Sequence, residues 1–228
     1  MTATLARLEY RVLPSLDIEP KGVVRAPLDG DDKDADRRVH LMQGDADGAC
    51  GPYCVFMALL VHGVARRGAF TGWGKVKGST SEGKLLAKME ADHSALFRGG
   101  TDLEQLEALL DETYSGKVRA RLIDVNGAAC RTAVEAEVLA GNPVILGIDA
   151  GDDDRHFLLV VGTRNRVVGD THQVDRFLVL DPAEPGPRAA PWNGVVALRG
   201  AGGRWWSGAD DRHSSVSFFG ALAVRRRT

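Results

Sequence analysis

Gln43-Gly44-Asp45-Ala46-Asp47-Gly48-Ala49-Cys50-Gly51-Pro52-Tyr53-Cys54 carries a polar loop into an apolar helical pattern. A proline two places after Cys50 suits the first turn of a helix, where its missing N–H breaks no internal hydrogen bond. Cys50 is thereby placed at a helix mouth, where unpaired main-chain N–H groups and the positive end of the helix dipole favour a thiolate over a thiol. Gly48 and Gly51 keep bulk away from the sulfur, and Gln43 can return an amide N–H toward an oxygen that gains negative charge. These are the parts of a cysteine nucleophile with an oxyanion donor.

Downstream of Cys50, residues Val55, Ala58, Leu59, Val61 and Ala65 recur at helical spacing, and Phe56, Leu60 and Val64 broaden the apolar surface. The pattern predicts a central amphipathic helix running to about Arg67 and ended by Gly68. Further helices are expected over 81–91 and 101–112, the second opened by Thr101 and Glu104 as a cap and third-residue pair. The texture changes after Gly116. Val118–Ile123 alternates like a half-buried strand, and Arg131–Ala140 reads as a helix closed by Gly141. Residues 143–148, 156–162 and 176–181 read as three more strands, with hairpin-sized loops at 149–155 and 163–175, so the last two are expected to pair antiparallel. Val195–Leu198 is a short strand candidate, 200–208 a turn-rich stretch holding Trp205 and Trp206, and Val216–Val224 a strand able to close the sheet.

The first 28 residues, broken by Pro14, Pro20 and Pro27, read as an irregular arm that runs into the acidic stretch 29–36. That stretch is expected to be a solvated loop, since a calcium loop needs a closing glutamate that is absent. The resulting division is an N-terminal arm and acidic loop over 1–39 and a catalytic domain over 40–228. Within the domain a helical half, about 40–115, packs on a sheet half, about 116–228.

Composition limits the function classes. With 228 residues and 44% hydrophobic positions the chain can bury a substantial core. Lys and Arg number 29 against 31 Asp and Glu, a formal net charge of -2 that gives no electrostatic footprint for nucleic acid. No transmembrane span or secretory signal is visible. The three cysteines, two of them four positions apart, point to a reducing, cytoplasmic setting, with export by a signal-independent route left open.

A cysteine nucleophile needs a base within hydrogen-bond reach and a group that orients the base. His156 begins an apolar strand after the polar stretch 151–155, and Asp181 ends the neighbouring strand ahead of Pro182. In an antiparallel hairpin the start of one strand lies beside the end of the other, which sets the carboxylate next to the imidazole. A metal set of Cys50, Cys54 and His62 is the weaker alternative, because the usual paired-cysteine spacing is missing. Cys54 and Cys130 read as structural thiols, His40, His93, His172 and His213 as surface or packing residues, and Trp73, Trp205 and Trp206 as core fillers ahead of the alternative that they line a substrate groove. Neither a metal nor a cofactor is implied.

Gln43 through Cys50-Gly51-Pro52-Tyr53-Cys54, then Gly141-Asn142-Pro143-Val144-Ile145, His156-Phe157-Leu158-Leu159-Val160-Val161-Gly162 and Leu180-Asp181-Pro182, resemble the papain-like cysteine peptidases of the C39-like, bacteriocin-processing group. The likeness spans about residues 40–185. It implies an α+β, papain-like fold with a helical half packed against an antiparallel sheet half. It also implies Cys50 as nucleophile, His156 as base and later acid, Asp181 as the residue orienting the imidazole, and Gln43 as oxyanion-hole donor. The expected activity is hydrolysis of a peptide or isopeptide bond in a peptide or protein substrate through an acyl-cysteine. The alternatives are acyl or transglutaminase-like amide transfer, and an inactive binding module. The double-glycine preference of that group is not carried over, since the chain lacks the membrane and nucleotide-binding parts of the exporters that use it.

Overall fold

The computed structural model describes residues 6–19, 23–27, 36–44, 49–72, 76–91, 100–151, 154–207 and 213–227. In chain order the elements are β1 (Arg7–Val12), β2 (Asp17–Ile18), β3 (Val24–Arg25), α1 (Cys50–Val61), α2 (Arg67–Thr71), α3 (Ser81–Ala91), α4 (Leu103–Tyr114), β4 (Val118–Ile123) and α5 (Gly127–Leu139). The remainder is all strand: β5 (Val144–Asp149), β6 (Arg155–Val168), β7 (Thr171–Leu180), β8 (Gly194–Arg199), β9 (Gly202–Ser207) and β10 (His213–Arg226).

Two strands of 14 residues, β6 and β10, decide the architecture. Each is long enough to pair with three neighbours: β6 with β1, β5 and β7, and β10 with β4, β5 and β9. Because β7 also pairs with β8 and β8 with β9, strands β5 to β10 form a closed six-stranded antiparallel barrel, with β1 and β4 added outside the ring. Closure needs bends. One comes where the β10–β5 register shifts between Phe218 and Gly220, and Gly220 has φ 153°, a backbone state that disfavours a side chain. A Cβ there would also lie 2.8 Å from Leu103 Cδ1, so the bend lets α4 approach β10. The β6–β7 ladder carries two more shifts, between Val160 and Gly162 and between Arg164 and Asn165.

This closed barrel corrects the expected α+β, papain-like arrangement of a helical half packed against a sheet half. Strand residues outnumber helical ones, and the sheet curls on itself where a separate layer was expected. The arm is not irregular throughout either: β1 pairs in register with β6, from Arg7 opposite Val167 to Val12 opposite Gly162. The segment 163–175, read as a loop, is the outer reach of the β6–β7 hairpin, and the turn-rich stretch with the two tryptophans is β9. The acidic loop falls largely, and Trp73 and His93 entirely, outside the described residues.

The helix from Cys50 is not amphipathic. All of its residues except Tyr53 are buried, as befits a helix apolar on every side. It stops at Val61, short of Gly68. The Val64 N–H bonds the Leu59 carbonyl and the Gly63 N–H the Leu60 carbonyl, with Gly63 at φ 68°, a complete Schellman closure. The α4 cap is also shifted by one residue from the expected pair: Asp102 accepts from the Gln105 N–H at 2.7 Å and Gln105 Oε1 accepts from the Asp102 N–H at 3.0 Å. α1 and the barrel share a single apolar cluster that runs from Leu13 to Val224.

Candidate active site

Cys50 is the first residue of α1, preceded by Ala49, which caps nothing with its side chain. The first helical N–H groups therefore lack internal acceptors at the end of the helix that carries Cys50. Cys50 is 9% exposed, at the boundary between core and surface. Two neighbours fix its position against β6. A Cβ on Gly51 would lie 2.2 Å from Thr101 Oγ1 and 3.3 Å from Phe157 Cδ2, so only glycine lets the helix mouth approach this closely. One turn on, the Cys54 thiol donates to the Phe157 carbonyl at 3.4 Å. That bond hooks α1 to the residue after His156 and sets the helix register that brings Cys50 to the imidazole. Burial pushes the Cys54 thiol well up, with the neighbouring Cys50 and Asp181 charges adding to it, so it stays neutral.

His156 stands second in β6 and Asp181 directly after β7. The antiparallel register, with Leu159 opposite Leu180, brings the two side chains together. His156 Nε2–H donates to Asp181 Oδ1 at 2.8 Å, with the carboxylate fully buried. The Cys50 side chain is the second group beside the same ring that favours its protonation. With Nε2 committed to Asp181, Nδ1 is the nitrogen left to exchange a proton with the sulfur. Burial opposes protonation of the ring, and the Asp181 hydrogen bond together with the Cys50 side chain and the charges of both groups overcomes it, so His156 is pushed up to about 10. A cationic ring held beside a sulfur is the environment that stabilises a thiolate.

Asp181 is itself fastened from several sides. Its Oδ1 also accepts from the Ala183 N–H at 2.9 Å. Its own N–H donates to Asn193 Oδ1 at 2.7 Å, and its carbonyl accepts from Asn193 Nδ2 at 2.9 Å and from His40 Nε2–H at 3.0 Å. Burial lowers His40, with the nearby Arg67 charge in the same direction, which keeps it a neutral donor to that carbonyl. Trp205 completes the surroundings: its ring centroid lies 5.4 Å from that of His156 at an interplanar angle of 31°.

Of the residues predicted from the sequence, Cys50, His156 and Asp181 are thus brought together from α1, β6 and the end of β7. Gln43 arrives by a different contact. Its main-chain N–H donates to the Pro182 carbonyl at 2.8 Å, which pins it beside the Asp181 turn. Its side chain makes no hydrogen bond to Cys50 or His156 among the described residues, and its buried Oε1 has no partner there. Two residues escaped the sequence reading, Asn193 and His40, which hold Asp181; Trp205, read as core filler ahead of groove lining, packs on His156. Asn193 lies in an irregular segment after a proline-rich loop and has no periodic signal. The order of Asn193 just ahead of a strand was the one hint available.

The metal alternative is not assembled. His62 Nε2–H donates to the Val224 carbonyl at 2.8 Å, and no group of three His, Cys, Asp or Glu among the described residues is placed to hold an ion. No helix among them is long and apolar enough to cross a membrane. A scan against protein-family models finds no match, and no curated protein matches the chain.

Proposed function

We propose that the chain is a cysteine hydrolase that cleaves peptide or isopeptide bonds through an acyl-cysteine intermediate. The observation that carries this reading is the single imidazole shared by a helix-mouth cysteine on one side and a buried carboxylate at 2.8 Å on the other. The Cys50 thiolate attacks the amide carbonyl carbon, and the carbonyl oxygen takes the negative charge. The N–H groups at the start of α1, with the Gln43 amide swung in from its loop, receive that oxyanion. His156, as imidazolium, gives its proton to the departing amine, then takes one from the water that releases the acid. Asp181 keeps the ring in one orientation and one tautomer throughout.

Acyl transfer follows the same course up to the acyl-cysteine and differs only in the nucleophile that releases it. Three free, buried cysteines suit a reducing compartment such as the cytoplasm. Incubation with a mixed peptide library tests the reading. The native chain is expected to yield new amino termini, and Cys50→Ala none, with an unchanged circular dichroism spectrum. New amide bonds to an added amine, in place of free carboxylates, would assign the chain to acyl transfer. Equal cleavage by Cys50→Ala removes the nucleophile and with it the proposal.

A further inference from the structure

Trp205 and Trp206 are consecutive in β9 and therefore point to opposite faces of the barrel wall. Trp205 faces the His156 ring, whereas Trp206 lines a groove of ≈ 450 Å³ on the other face. The strand registers show how that groove is built. Tyr10 stands opposite Arg164, Arg164 opposite Arg176, Arg176 opposite Ala197, and Ala197 opposite Arg204, in one continuous cross-strand row. Arg199, two residues past Ala197, lies on the same face. Three guanidinium groups thus surround a methyl-sized floor, with Arg176 and Arg204 across from each other and Arg199 along the strand.

Like charges set opposite one another in a sheet are destabilising, and this row is not neutralised from within. Arg164 is held by Asp175 at 2.9 and 2.5 Å. Arg176, Arg199 and Arg204 have no acidic partner among the described residues, and Arg176 Nε is buried without any hydrogen bond. One end of the row is aromatic. Tyr10 and Trp192 stack with centroids 5.7 Å apart and planes within 6°, while Trp206 on the far side is stacked against His213. Arg199 and Arg204 also line an adjoining cavity of ≈ 640 Å³, so the groove has room to extend.

We infer that this groove is a binding site for a phosphorylated small molecule with a planar ring, the chemistry of a nucleoside phosphate. Guanidinium forks match phosphate oxygens in pairs, and three arginines without an acidic partner among the described residues suit a dianion better than a single carboxylate. The Tyr10–Trp192 pair at one end of the row, with Tyr10 exposed, offers a stacking surface to the ring. The site is independent of Cys50, since the wall of the barrel separates the two.

Tryptophan fluorescence and calorimetric titration of the full chain with adenosine monophosphate test the inference. Saturable binding is expected, weakening with added salt, and both adenosine and inorganic phosphate should bind at least about tenfold more weakly because each offers half of the recognised chemistry. Arg204→Met and Arg199→Met, both at exposed positions, should each weaken binding by about tenfold while the near-ultraviolet circular dichroism and the labelling rate of Cys50 stay unchanged. The inference is overturned if adenosine monophosphate does not saturate at millimolar concentration, if inorganic phosphate binds as tightly, or if both arginine variants bind like the native chain. An acidic peptide that occupies the groove where the nucleotide does not would likewise overturn it.

Discussion

At the residue scale the imidazole of His156 is the pivot, because it is bonded to a fully buried carboxylate and its protonation is favoured by the candidate nucleophile beside it. Its raised value has a definite sign. The imidazolium persists through neutral pH and is lost as pH rises through about 10, so activity is expected to fall on the alkaline side in that region. Asp181→Asn removes the charge that favours the imidazolium. The alkaline limb of kcat/KM should therefore move to lower pH, and kcat should fall by about 10²-fold to 10⁴-fold. A pH–rate profile measured on both chains checks this, and an unmoved limb would remove Asp181 from its role. Much of this trio was legible in the sequence, because a helix-mouth cysteine and a hairpin that sets strand start beside strand end are local patterns. Asn193 and His40 were not, since they reach Asp181 from separate irregular segments that no periodicity connects.

The elements were legible where one face alternates and failed where side chains serve packing in an unusual way. The expected α5 terminus at Gly141 is present: the Gly141 N–H bonds the Val138 carbonyl and the Asn142 N–H the Glu137 carbonyl. In β9 the glycines misled, because they mark close packing and no turn. A Cβ on Gly202 would lie 2.2 Å from the Val216 carbonyl oxygen. Residues 163–175 were read as a loop because arginines and polar residues fill the outer β6–β7 hairpin. Only the short link at Gly169 and Asp170 turns the chain.

Element packing also has an electrostatic anchor. Glu137 on α5, 5% exposed, bonds Arg121 of β4 at 2.7 Å, Arg225 of β10 and Asn142 at 3.0 Å. The Arg225 hydrogen bond, against the opposing effect of burial, holds its carboxyl below the ordinary 4.5. A depressed carboxyl stabilises the fold above its unfolded value, and that contribution disappears as pH falls through the folded one. Glu137→Gln should thus lower stability at neutral pH by about 1–2 kcal/mol, a modest figure because both arginines are partly solvated. The difference between the two chains should close below pH 4.5. Urea unfolding at neutral and acidic pH measures it, and a constant difference at all pH values would contradict the assignment.

For the whole molecule, alternation within single strands announces a sheet but not its closure. Whether β7 returns to β6 while β10 reaches both β5 and β9 depends on pairings far apart in sequence. The expected division into helical and sheet halves failed for that reason. The buried helix and the barrel share one apolar cluster, so they are expected to unfold together. Far-ultraviolet circular dichroism and tryptophan fluorescence should follow one coincident transition in urea, and two separated transitions would show that the helices and the barrel are independent units. The central claim is chemical and is tested most directly by labelling with an electrophilic peptide probe, located by mass spectrometry in the native chain and in His156→Ala. Cys50 is predicted to be the residue labelled, ahead of Cys54 and Cys130, and its rate to drop by about 10²-fold or more without the imidazole. An unlabelled Cys50, or one labelled equally fast in His156→Ala, would contradict the account.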